Sequence, residues 1–208
     1  MNIITTTILK SIQSVLLGAI IFLSASTKSF AQSEELKQKV SAFKSDLESY
    51  EMKYLNISDR DLGSIEETGY VWKDEFMLKS KEKEENNIGN KSYAKYYFSI
   101  FSYETIEDRQ YGLKDWMGDF INSETLRPGR DMRTYPEATP TIILINDLEI
   151  ITCNYKCSDF SDDGFDNWKD MLLKYFGEDN TMVIEIMCDG PLKWTKNAPD
   201  PKDRRKMI

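Results

Sequence analysis

The chain has 208 residues, with 27 Lys and Arg against 35 Asp and Glu, no histidine, and a net charge of −8. The missing imidazole excludes Ser-His and Cys-His nucleophile pairs, His-ligated zinc and imidazole general bases. The acidity argues against nucleic acid and anionic lipid as partners, because both draw on clustered Lys and Arg.

Residues 1–31 read as a secretory signal peptide. Lys10 precedes an apolar run from Val15 to Leu23, and small and polar residues follow, ending Ser29-Phe30-Ala31. Ser29 and Ala31 suit the small-residue pockets of a signal peptidase, so cleavage is expected between Ala31 and Gln32. The product is then exported, periplasmic or extracellular. The apolar run is far shorter than the roughly 20 residues that span a bilayer, and no later segment is longer, so no membrane span is expected. The leader carries Lys10 and Lys28 and no acid, which leaves a mature chain of net charge −10. Residues 32–196 read as a single domain and 197–208 as a flexible tail.

In chain order, Leu36, Val40, Phe43, Leu47, Tyr50 and Tyr54 form one apolar stripe, which predicts an amphipathic helix over 33–56 with Ser33 as its N-cap. A polar link from Asn56 to Gly69 ends it. Tyr70, Trp72, Phe76 and Leu78 alternate with Lys73, Glu75 and Lys79, predicting a strand. The charged stretch Ser80–Lys91, with Asn86-Asn87-Ile88-Gly89-Asn90, predicts a hairpin loop. Tyr93–Tyr103 carries apolar residues on both sides and reads as a central strand.

A helix is expected from Thr105, with Ile106, Leu113, Trp116 or Met117, and Phe120 inward; Gly112 and Gly118 weaken it. Residues 122–140 read as a loop. Thr141–Asn146 and Glu149–Tyr155 predict an antiparallel hairpin about Asn146-Asp147-Leu148. Phe165–Phe176 predicts a helix ended by Gly177, with Phe165, Trp168, Leu172 and Tyr175 on one face. Met182–Cys188 reads as a last strand. The expected class is α+β, a mainly antiparallel sheet of about five strands with three helices packed on it.

Ala138–Asn146, a proline leading into a strand and hairpin with a helix beyond, is similar over nine residues to a stretch of the thioredoxin fold. Glu104-Thr105-Ile106-Glu107 stands where that family's paired cysteines would sit, so thiol–disulfide chemistry is not expected.

Four features are candidate sites. Asp159, Ser161, Asp163, the Phe165 carbonyl and Asp170 fit a twelve-residue calcium loop, with Gly164 at the sharp turn. The favoured competing account is an acidic helix N-terminus capped by Asp162. Arg127, Arg130 and Arg133 gather three guanidinium groups in one loop, able to fork onto a carboxylate, phosphate or sulfate, or onto the domain's own acids. Tyr70, Trp72, Tyr93 and Tyr97 belong to an aromatic row that suits sugar faces or a partner surface, or simple core packing. Cys153, Cys157 and Cys188 permit one disulfide in an oxidising compartment, Cys153–Cys188 or Cys157–Cys188; Cys153 and Cys157 lie too far apart along one extended strand.

The reading that follows is an exported, non-catalytic binding or interaction protein for a glycan, peptide or envelope protein, with no cofactor unless the loop binds calcium. The alternative is a carboxylate-dependent secreted hydrolase, calcium-supported if the loop binds the ion, with acids placed by the fold, for example Asp74 with Glu107.

Overall fold

The structure is a computed structural model that describes residues 34–54, 69–120, 139–188 and 192–198. The signal-peptide segment 1–31, the arginines at 127, 130 and 133, and the polar link 56–68 lie outside the described residues, as do the side chains of Trp116, Met117 and Phe120. Met1–Val40 and Ser41–Ile208 form separate compact units.

The described part of the first unit is helical. Glu34 pairs with Lys37 and Glu35 with Lys39, at 2.6 and 3.1 Å, while Leu36 and Val40 are buried. This helix, α1, spans 34–45 and stops well short of the predicted 56. Tyr50–Tyr54 is instead a strand, β1. The two readings compete because Tyr50 and Tyr54 are four apart, which suits a helix face and also falls on one side of a strand.

The second unit is built on a seven-stranded sheet rather than one of about five. Its strands are β1, β2 (Tyr70–Ser80), β5 (Lys95–Tyr103), β6 (Thr141–Ile145), β7 (Glu149–Tyr155), β8 (Met182–Ile186) and β9 (Leu192–Lys196). They lie in the order β1-β2-β5-β7-β6-β8-β9, every neighbouring pair antiparallel. The unexpected strands are the two edges. β9 has only Leu192 and Trp194 to mark its alternation, too short a pattern to predict a strand. The predicted hairpin loop contains a small ribbon, β3 (Glu84–Glu85) with β4 (Lys91–Ser92).

Helices cover both faces of the sheet. α2 (Ile106–Phe120) places Leu113 in a cluster with Phe101, Tyr103, Ile143, Ile145, Ile150 and Ile184. α3 (Asp162–Phe176) covers the opposite face with Phe165, Trp168, Leu172 and Phe176. On that face Phe43 meets Phe76, Phe98, Tyr175 and Phe176 at 5.3 to 6.3 Å between ring centres, and Trp168 meets Phe98 at 5.3 Å. Each such tilted pair adds about 0.5–1.5 kcal/mol beyond its buried area. Phe176, fully buried, takes the inward position expected of Tyr175.

The hairpin between β6 and β7 is tied to the exit of α3 by buried polar groups. Asn146 donates its side-chain N–H groups to Glu149 and to the Phe176 carbonyl, both at 2.9 Å, and accepts from the Thr181 hydroxyl at 2.6 Å. Thr181 in turn accepts from the Glu178 N–H at 2.6 Å. Asn146, Glu149 and Thr181 are at most 2 % exposed, so these bonds carry the desolvation cost of all three.

Candidate functional site

The β3–β4 ribbon folds around Asn86. Its side-chain oxygen accepts from the N–H groups of Ile88 (3.3 Å) and Asn90 (2.8 Å), and its carbonyl accepts from Gly89 N–H at 2.9 Å. Gly89 has φ +77°, the left-handed conformation that glycine adopts without strain. The ribbon is then clamped to the connection between β7 and α3: the Asn87 backbone N–H donates to Ser158 O at 3.0 Å, and its side chain to Cys157 O at 2.7 Å.

Between ribbon and connection lies a pocket of about 270 Å³. Its lining residues include the acidic Glu84, Glu85 and Asp159, the aromatic Tyr96 and Phe160, and the uncharged polar Asn86, Asn87, Ser92 and Ser161. No Lys or Arg is among the described lining residues. Tyr96 is fixed by rings on three sides: Trp168 at 4.7 Å, Tyr155 at 5.2 Å and Tyr50 at 5.8 Å. Burial pushes its phenol up to about 12, with Tyr50 and then the carboxylates of Glu84 and Asp159 adding to the same effect. The phenol therefore stays neutral and holds a proton at the pocket wall. The Tyr155 hydroxyl is buried with no hydrogen-bond partner among the described residues, and burial raises its pKa.

The calcium-loop residues are distributed along a helix rather than around a point. Asp159 lies in a single 3-10 turn, Cys157–Asp159, while Asp163, Phe165 and Asp170 lie within α3. Helical geometry separates Asp163 from Asp170 by about 10 Å along the axis and commits the Phe165 carbonyl to the helix's own ladder. Among the described residues no group of three or more Asp, Glu or Cys is placed to hold a metal ion. The cap is Ser161 rather than Asp162: its hydroxyl accepts from the Gly164 N–H at 3.1 Å. Asp162 and Asp163 sit in the first turn, where the helix dipole favours them.

The aromatic candidates do not form one row. Tyr70 packs on Phe101, ring centres 5.8 Å apart, beside the α2-covered cluster. A bulge between Tyr70 and Trp72 sends Trp72, opposite Ser102, to the other phase. Tyr97 alternates away from Phe98 and so faces the α2 side, and Tyr93 lies under the Lys79 ammonium at 4.0 Å. Asp74 lies on the face covered by α3, 2.5 Å from Lys44, whereas Glu107 is on α2 across the sheet, so they are not a catalytic pair.

Cys153, Cys157 and Cys188 are thiols in this structure. Cys153 is fully buried in β7, which raises its pKa and makes it inert; the other two are half-buried. Tyr96 belongs to the aromatic row that the sequence offers, but the acidic ribbon of Glu84 and Glu85 and the neighbouring Asn87 were not foreseen as site residues. The turn signal Asn86–Asn90 was visible, but nothing local shows that it docks against residues 157–161. No helix among the described residues is long and apolar enough to cross a membrane. No family model, no curated protein and no solved structure matches this chain, so its site is read from its own geometry.

Proposed function

We propose that the chain is an exported, non-catalytic binding protein whose pocket receives a cationic group, the ammonium of lysine or the guanidinium of arginine, presented by a peptide or an envelope protein. The observation that carries this reading is that Glu84, Glu85 and Asp159 line one open cavity together with Tyr96 and Phe160, with no Lys or Arg among its described lining residues. Carboxylates supply charge-assisted hydrogen bonds, and aromatic faces attract a partly desolvated cation. A volume of about 270 Å³ is below that of a typical drug-sized site, so one side-chain head fits better than a whole small molecule. Export is supported by the pattern of residues 1–31.

The test is a titration of isotope-labelled protein with N-acetyl-lysine methylamide, the arginine equivalent and the neutral norleucine equivalent. The two cationic probes should shift the backbone amides of Asn87 and Tyr96, and norleucine should not. The paired change Glu84→Gln and Asp159→Asn should weaken binding about tenfold or more. Equal shifts from norleucine, or none from any probe at millimolar concentration, would overturn the reading.

A further inference from the structure

We propose that the outer edge of β1 pairs with β1 of a second copy of this chain, antiparallel about a twofold axis through Met52. β1 is a terminal strand of the sheet, and no described strand pairs with its outer side. Which backbone groups face outward follows from β2. The Ser80 N–H donates to Ala94 O at 3.0 Å, away from β1. In an antiparallel ladder the N–H and C=O of one residue point the same way and successive residues alternate. Leu78 and Phe76 therefore face β5, while Lys79 and Met77 bond to their partners Glu51 and Lys53. That leaves the N–H and C=O groups of Met52 and Tyr54, and the Tyr50 carbonyl, directed away from the sheet.

An outward residue must meet an outward residue, which restricts self-pairing to few registers. Centring on Glu51 sets Glu51 against Glu51, and centring on Lys53 sets Lys53 against Lys53. Only the Met52-centred register sets Glu51 opposite Lys53 on both sides of the axis, with Tyr50 opposite Tyr54. The two Met52 residues then exchange N–H···O=C bonds, and each Tyr54 N–H meets the partner's Tyr50 carbonyl. Opposite-charge and aromatic cross-strand pairs favour this register, and like charges disfavour the others. The side chains are available for it: Glu51 and Lys53 are exposed, and Tyr54 is 72 % exposed despite the Lys44 ammonium 4.7 Å from its ring. Glu51 also approaches Lys79 at 3.3 Å, an exposed contact of the weak kind. The pairing is isologous and closes as a dimer.

Sedimentation of the purified protein over a wide concentration range should show a reversible monomer–dimer equilibrium. Lys53→Glu sets like charges face to face and should weaken association about tenfold. The exchanged pair Glu51→Lys with Lys53→Glu should restore it. Met52→Pro removes an outward N–H without removing a β1–β2 bond and should abolish it. A monomer at every concentration, a dimer indifferent to Lys53→Glu, or an exchanged pair that stays weakened would overturn the proposal.

Discussion

Asn87 donates its side-chain N–H to the carbonyl of Cys157, 2.7 Å away and 70 positions later in the chain. With the adjacent bond from the Asn87 backbone to Ser158 O, it holds the acidic ribbon against the start of α3, and the pocket exists only while the two stay together. Asn87→Ala should lower thermal stability by about 1 kcal/mol, since both groups are near solvent. Its affinity for the cationic probes should fall by more than that cost implies, because the backbone bond alone leaves the ribbon free to splay. Parallel melting and titration experiments separate the two effects.

Ser161 caps α3 through the Gly164 N–H. Ser161→Ala should cost about 1 kcal/mol, the usual cost of losing a hydroxyl cap. Asp163→Asn should cost only a few tenths, through the dipole of an exposed first turn. Melting curves of both variants and the parent, each in millimolar calcium and in chelator, check whether these costs are independent of the ion, as a cap requires.

Thr181→Val should cost about 2–3 kcal/mol in urea unfolding. It leaves the Glu178 N–H and the Asn146 side-chain oxygen without their Thr181 partner in a site where Thr181 itself is fully buried. Asn146→Leu should cost more, because it strands the Phe176 carbonyl and removes a donor from the buried Glu149. An unchanged dependence on urea would show that the loss lies in the folded state.

Burial raises the phenol pKa values of Tyr50, Tyr96 and Tyr155. The raised folded value means that the unfolded chain loses these protons first, near pH 10. Their contribution to stability is therefore complete below about pH 10 and is lost as the pH rises from there toward 12, the value Tyr96 reaches. Tyr96→Phe should flatten this alkaline decline, read as unfolding free energy against pH.

How far the chain could be read in advance depends on the range over which each signal acts. The hairpin of β6 and β7, helix α3 with its Gly177 stop, and the interior position of β5 all follow from periodicity within a dozen residues. Asp159 and Ser161 were singled out by their spacing, and they do line the pocket. Tyr50 and Tyr54 show the limit, since their spacing serves a helix and a strand equally and only pairing with Ser80 and Phe76 decides.

The sequence by itself determined an α+β chain with an antiparallel sheet, because alternation and helical stripes are local consequences of side-chain direction. Tertiary structure alone decided that Trp72 and Tyr97 face opposite ways, that Asp74 and Glu107 are separated by the sheet, and that Glu84 and Asp159 line one pocket. Those relations depend on a bulge, on which face each helix covers, and on a hydrogen bond spanning 70 residues. None of these is a property of any short stretch of sequence.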